Sequence, residues 1–347
     1  MPEALSPLDS ALRQLAQGRS LSGSETAAAF GVVMRGEATP VQIAALLMGL
    51  RAKGESSAEV AGAAEALRAA MVRVTVPDHR FLIDTCGTGG GQVGTINIST
   101  PAAFIAAAAG ASVAKHGNRS FTSRSGSADL FEALGVSIAL AAEESARVLA
   151  EERLAFLFAP TYHPAMRHVG PVRKELGLPT VMNLIGPLSN PAGVRRQVLG
   201  VADRERAPLM AEALLALGAE HALVVHGDLG MDEISPLGTT SVWEVKDGAV
   251  RHWSIDPHQV GLAANDLGGL AGGSPAENAE RIEQMFEGNG EAVVRSAVLL
   301  NAGASLYVAG KADSLEGGVE LAREALDKGH AAQLLARLRR AVPHRAG

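Results

Sequence analysis

Cysteine is almost missing from this chain: Cys86 is the only one in 347 residues. That excludes internal disulfides and any zinc cluster built on several thiolates. Excess positive charge is missing as well. Lys and Arg number 31 against 37 Asp and Glu, a net charge of −6, which is the wrong sign for a general nucleic-acid or anionic-membrane binder. Any affinity for phosphate must therefore come from local clusters. The late apolar stretch from Ala297 to Ala309 is too short for a bilayer span and contains Asn301. Glu3 and Asp9 precede any long apolar run, so no secretory signal is expected, and a soluble cytoplasmic protein follows. There is no low-complexity tract and no repeat of fixed period. What the chain does have is length and 47% hydrophobic content, enough for a sizeable core and two domains. Its 39 glycines are consistent with many strand-to-helix turns.

The densest glycine cluster is the most informative segment. Asp84 to Thr100 reads DTCGTGGGQVGTINIST, between the apolar run Phe81 to Ile83 and an alanine-rich segment. Glycines let the backbone approach a ligand oxygen, and a following helix N-terminus adds N–H donors, so the outline is that of an anion-binding loop. Thr100 is the expected N-cap and Pro101 the first helical residue. Gly89, Gly91 and Gly94 satisfy G-x-G-x-x-G, but the acidic residue of a dinucleotide fold, expected about 20 positions on, is replaced by Lys115. A Walker A loop fails too, since Thr95 stands where Lys is required. A flexible turn is the plain alternative. Against it stands the tail Asn97-Ile98-Ser99-Thr100, which places hydroxyls and an amide at the helix entrance.

A second polar segment, KHGNRSFTSRSGSADLFEALG, starts at Lys115 after the short apolar strand Ala111 to Ala114. Its cations and hydroxyls suit a ligand with more than one phosphate, and the ordinary alternative is a solvated loop. Lys115 is expected to leave the same strand-end rim as the glycine loop, with a helix from about Ser127 to Leu134.

The organisation changes near residue 75. Upstream the signals are helical: Ser22 with Glu25 and Ser56 with Glu59 have capping-box spacing, Thr39-Pro40 opens another helix and Gly54 closes one. Ile43, Leu46, Leu47 and Leu50 share a helical face. Downstream, apolar runs at 81–83, 112–114, 154–158, 198–201 and 222–225 alternate with helical segments, which predicts an α/β domain with a mainly parallel sheet. Residues 241–255 read as a hairpin turning at Asp247-Gly248, and helices dominate from Pro275. Arg173 falls in a helical pattern from Pro164 to Leu176 that Gly177 closes. Asp232 and Glu233 follow an apolar strand and a glycine-rich turn, from which both can approach one hydrated Mg²⁺; an acidic surface turn is the bland reading. Cys86 reads as a packing residue.

These segments together resemble the anthranilate phosphoribosyltransferase family. Gly87 to Gly90 and Asn97 to Thr100 match its GTGG loop and NxST turn, Lys115 to Arg119 its KHGNR, and Ser125 to Asp129 its SGSAD. HPAM at 163–166, PVR at 171–173, NLIGPLSNP at 183–191, HGDLGMDEIS at 226–235 and NAGASLYVAG at 301–310 extend the resemblance almost to the C-terminus. Inside this signature one position departs: Gly91 stands where the family usually has Asp after GTGG, while departures around Pro179 and Met182 concern an apolar or turn position.

The resemblance implies a small α-helical domain over residues 1–75, joined by part of about 164–191, and an α/β catalytic domain over 76–347. It implies a homodimer formed through the helical domain, and transfer of a phosphoribosyl group from 5-phosphoribosyl-1-diphosphate to anthranilate in tryptophan biosynthesis. The donor would be held by Gly87, Gly90, Gly91, Thr95, Asn97, Ile98, Ser99, Thr100, Lys115, His116, Gly117, Asn118, Arg119, Ser120, Phe121, Thr122, Ser123 and Ser127. Gly87, Asn118 and Arg173 would contact anthranilate, with Arg173 on its carboxylate. Ser99, Asp232 and Glu233 would hold Mg²⁺. No residue is assigned as a catalytic base, and no nucleic-acid or membrane partner is expected. The alternatives are a pyrimidine nucleoside phosphorylase of the same architecture, and a non-catalytic nucleic-acid-binding relative, which would have lost the phosphate motifs and gained a basic surface.

Overall fold

The computed structural model describes residues 5–78, 80–91, 93–120 and 124–344. Four helices come first: α1 (Pro7–Leu15), α2 (Gly23–Met34), α3 (Pro40–Lys53) and α4 (Ser57–Ala69). Their starts are chemically specified. Ser22, Thr39 and Ser56 each accept from the backbone N–H three residues on, while Glu25, Gln42 and Glu59 reach back to the cap N–H, so orphan donors are satisfied reciprocally. Ile43, Leu46, Leu47 and Leu50 of α3 are all buried, at roughly 1.5 to 3 kcal/mol for each side chain removed from water.

The rest alternates strands and helices: β1 (Leu82–Gly87), α5 (Ser99–Ala108), β2 (Ser112–Gly117), α6 (Ser127–Ala133), α7 (Ala142–Glu152), β3 (Leu154–Phe158), α8 (Ala159–Tyr162), α9 (Met166–Leu176), α10 (Val181–Ile185), β4 (Arg196–Gly200), α11 (Ala207–Ala216) and β5 (His221–Gly227). The hairpin β6 (Thr240–Lys246) and β7 (Ala249–Ile255) follows, then α12 (Pro275–Phe286), α13 (Ala292–Ala309), α14 (Leu315–Asp327) and α15 (His330–Ala341). One seven-stranded sheet runs β3-β2-β1-β4-β5-β6-β7. Its first five strands are parallel, and β6 and β7 are antiparallel. Asp247 and Gly248 take φ of 52° and 74° at the hairpin turn, the left-handed pair that a two-residue turn of the right twist requires.

The sheet separates two cores, and strand alternation decides which residue enters which. Leu223 and Val225 face the core containing α5, α13, α14 and α15. Ala222 and Val224 face the core shared by α1 to α4 and α11. Val169, Val172, Val181 and Ile185, from α9 and α10, pack in that second core beside α2 and α3, so this stretch crosses back to the N-terminal helices.

Two expectations are corrected. The alanine-rich helix begins at Ser99 with Ile98 in the cap position and no side-chain cap, so Thr100 and Pro101 lie inside its first turn. The late apolar helix starts at Ala292, which makes it 18 residues and apolar enough to cross a membrane by length and composition. It is instead the central core helix, packed on α14, α5 and the sheet. Its Asn301 is buried, with Nδ2 donating to the Ile234 carbonyl at 2.9 Å and Oδ1 accepting from the Ile234 N–H at 3.1 Å.

Candidate active site

The glycine loop leaves the C-terminal end of β1, the end where open parallel sheets bind ligands. Gly89 and Gly90 take positive φ, 70° and 80°, while Gly91 does not. Both Gly87 and Gly91 abut the Asp232 carboxylate: a Cβ at Gly91 would lie 2.8 Å from Asp232 Oδ1, and one at Gly87 would lie 2.9 Å from Asp232 Oδ2, so a side chain at either position requires Asp232 to shift. Asp232 thus sits directly against the loop, and the Gly89 backbone favours its charged form. Glu233 faces the backbone N–H and hydroxyl of Ser99, at the start of α5. The Asn301 clamp on Ile234 fixes the segment that presents both carboxylates.

Burial pushes Asp232 above the usual carboxylate range. Glu233 is raised too, first by burial and then by the Asp232 charge, with Lys115 opposing. Two half-buried carboxylates and a hydroxyl form a hard oxygen set that suits Mg²⁺, which keeps water or substrate oxygens in its other positions. Among the described residues no group of three or more His, Cys, Asp or Glu makes a complete protein cage, so such an ion would rely on ligand oxygens as well.

Lys115 differs from expectation. It lies within β2, is buried, and donates from Nζ to the Thr85 carbonyl at 2.5 Å and to Ser99 Oγ at 3.2 Å. It therefore braces the glycine strand and the helix entrance from beneath, and burial lowers its pKa. Asp84 is fully buried next to it and is raised by burial, against the Lys115 charge. His116 and His163 are buried with Nε2 atoms 3.2 Å apart. Burial lowers them to about 3 and about 4, so both are neutral and one must donate to the other. This pair ties the end of β2 to the start of the crossing segment.

The remaining loop residues are held in place mostly by neighbours. Asn97 donates to the Ser125 carbonyl at 3.0 Å and accepts from Asn278, Thr95 bridges Ala271, and the buried Thr100 hydroxyl finds no partner among the described residues. Asn118 is exposed, and its carbonyl accepts from the N–H of Ala128 and, at 3.4 Å, from Ser127 Oγ. A Cβ on Gly117 would meet Ser127 Oγ at 2.2 Å. Arg119 is committed to α6, pairing with Asp129 and Glu132 at 3.0 and 2.6 Å, and the Ser120 N–H donates to Asp129. Phe121, Thr122 and Ser123 lie outside the described residues.

Arg173 stands apart, on α9. It is half-buried, burial lowers its pKa, and no carboxylate pairs with it among the described residues. A desolvated guanidinium without a counter-ion is a ready partner for an anionic ligand. Cys86 is no nucleophile: burial raises its thiol well above the usual range and Gln197 Nε2 contacts Sγ at 3.1 Å.

Family models for the glycosyl transferase family match here twice, the helical bundle domain over residues 9–71 and the a/b domain over 79–332. Anthranilate phosphoribosyltransferase of Rubrobacter xylanophilus is 49% identical, covering 98% of this chain and 99% of that relative. The chain belongs to the anthranilate phosphoribosyltransferase family. The Afipia carboxidovorans member is 48% identical over 96% of this chain and 98% of its own length. Among solved structures, the Thermus thermophilus enzyme superposes with a TM-score of 0.90 at 46% identity, covering 95% of this chain and 98% of its own. The Saccharomyces cerevisiae enzyme, solved with PRPP and Mg, does so with 0.88 at 28% identity, covering 97% and 98%. The helical domain and the mostly parallel α/β domain are thus the family's.

Asp84, Asn190, Gln197 and Asn301 were not singled out as functional from the sequence. An acid in an otherwise apolar strand was the available signal for Asp84. Asn190 and Asn301 lay inside matched motifs without a role of their own.

Proposed function

We propose that this protein transfers the phosphoribosyl group of 5-phosphoribosyl-1-diphosphate to anthranilate, releasing diphosphate, as a cytoplasmic step of tryptophan biosynthesis. The observation that supports it best is the convergence of Gly87 to Gly91, Ser99, Asp232 and Glu233 at one strand end. The anthranilate nitrogen attacks ribose C1, the bond from C1 to the diphosphate oxygen breaks, and the amine proton is then lost. Charge develops as oxocarbenium character at C1 and as negative charge on the departing diphosphate. Backbone donors of the glycine loop and of the α5 N-terminus, with Asn97, Ser99, Thr100, the 115–120 segment and Ser127, hold the donor and face that charge. Asp232, Glu233 and Ser99 would hold Mg²⁺, which when bound neutralises diphosphate charge. Gly87, Asn118 and Arg173 orient anthranilate, the guanidinium taking its carboxylate. Catalysis on this reading is positional and electrostatic.

The domain division is placed near residue 75, with part of 164–191 joining the helical domain. A homodimer through that domain fits the outward face of α3, where Val41 is 78% exposed beside the exposed Ala45. Loss of anthranilate fluorescence on adding the donor and Mg²⁺ tests the activity. Folded protein that leaves the fluorescence unchanged sinks the proposal, and phosphorolysis of thymidine or uridine would replace it with the nucleoside phosphorylase reading.

A further inference from the structure

β1 and β2 do not run together to their ends. Their ladder pairs Leu82 with Ser112 and Ile83 with Val113 and stops there. From Asp84 onward β1 pairs with β4, up to Gly87 with Gly200, while β2 goes on pairing with β3 as far as Gly117. The facing edges beyond Ile83 would leave buried backbone groups unpaired, at about 1 to 3 kcal/mol for each. Side chains take the place of the ladder. Asp84 Oδ1 accepts the His116 N–H at 3.2 Å, Asn190 Nδ2 donates to the Ala114 carbonyl at 2.8 Å, and Lys115 Nζ donates to the Thr85 carbonyl. Asn190 Nδ2 also donates to Asp84 Oδ2 at 2.9 Å, and Asn190 Oδ1 accepts the Ala192 N–H. The side chains of the wedge are all hydrogen-bonded, and its members come from both strands and from the segment that returns from the helical domain.

We infer that Asp84 and Asn190 are positioning residues: they hold β1 and β2 apart at their C-terminal ends, and that gap sets the spacing between the glycine loop and the KHGNR loop that together grip the donor's phosphates. The inference rests on the phosphoribosyl-donor reading of these two loops. Removing the wedge lets the strands close toward a normal ladder and narrows the gap, while Arg173, on α9, keeps its place. Donor binding is therefore affected before anthranilate binding.

The test uses the full-length protein with Asn190→Ala and Asp84→Asn. Asn190→Ala is expected to raise the donor KM about tenfold and to leave the anthranilate KM within about twofold. Asp84→Asn keeps an acceptor for the His116 N–H and is expected to fall between it and the wild type. Calorimetric titration with magnesium diphosphate should follow the same order. A donor KM and diphosphate Kd unchanged in whichever variant folds, with only the melting temperature lowered, overturns the inference and leaves the wedge as core filling. A wild type that binds magnesium diphosphate but does not consume anthranilate sinks the proposed activity instead, and the diphosphate titrations of the variants still decide the wedge.

Discussion

Glu244 and the pair Asp232 and Glu233 are carboxylates sunk into one α/β domain, and their surroundings treat them oppositely. Around Glu244 the ladder is complete, with β5 and β6 paired from His221 and Lys246 to Gly227 and Thr240. Its carboxylate is contacted by His221 Nε2 at 2.9 Å, Tyr307 OH at 2.7 Å and Trp253 Nε1 at 3.1 Å. Burial works against its charge, but the hydrogen bonds from His221 and Tyr307 outweigh it and hold Glu244 below the usual range. At the strand ends the reverse holds, with burial and mutual repulsion keeping Glu233 high. A satisfied carboxylate stabilises its fold; a crowded one costs stability and is kept where ligand chemistry uses it.

The strongest way to break this contrast is Asp232→Ala together with Glu233→Ala. Turnover at saturating substrates should fall on the order of a hundredfold or more, because electrostatic stabilisation by a bound metal is worth several kcal/mol. The melting temperature without metal should hold or rise, since a repulsive pair is gone. A wild-type Mg²⁺ activation curve would reduce both residues to an acidic turn.

Arg173→Ala probes a half-buried cation with no acid partner among the described residues, as the other half of the same logic. Loss of a charge-assisted bond of roughly 1.5 to 3 kcal/mol predicts about a ten- to hundredfold drop in kcat/KM for anthranilate, with the donor KM little changed. Kinetics with each substrate varied measure it, and unchanged anthranilate constants would remove Arg173 from the site.

Glu244→Gln should do the opposite of the first variant, lowering stability by about 2 kcal/mol and leaving both KM values alone. The pH dependence sharpens this. Glu244 has a folded pKa below its unfolded one, so its contribution is present above the ordinary carboxylate value of about 4.5 and is lost as pH falls through the folded value. Glu233, raised on folding, contributes with the other sign and favours the folded state as pH falls. Melting temperatures of wild type and variant, followed from about pH 6 to about pH 3, roughly 1.5 units either side of that value, should converge on acidification. A constant gap would exclude ionised Glu244 as the source.

The smallest expected effect is that of Gly91→Asp. The new Cβ meets Asp232 Oδ1 at 2.8 Å, so a third carboxylate joins the crowd. Without metal it should cost about 1 kcal/mol, and Mg²⁺ should restore the loss while moving the activation midpoint by about threefold. Superimposable Mg²⁺ profiles would show that position 91 takes no part in metal handling.

How much was legible follows the range of the interaction. Ser22 with Glu25 and Ser56 with Glu59 cap helices three residues away, and Asp247-Gly248 turns a hairpin within itself, so these were readable from adjacent positions. Asp84 and Asn190 are 106 residues apart, and Asn301 reaches Ile234 across 67; no local pattern encodes such partners. The expected Thr100 cap failed because the helix begins earlier, with Ile98 at the cap and Thr100 already inside the first turn, where Glu233, far along the chain, faces Ser99.

The sequence by itself determined the two-part fold, the starts of the N-terminal helices, the hairpin turn, and the motifs by which the chain resembles its family, because capping, turn geometry and side-chain periodicity act between near neighbours. Only the tertiary structure decided that Lys115 lies buried beneath the loop, that Gly91 abuts the Asp232 carboxylate, and that the ladder between β1 and β2 stops at Ile83. Those outcomes depend on which distant groups share one desolvated volume, where each buried charge and backbone group must find a partner that the linear order does not name.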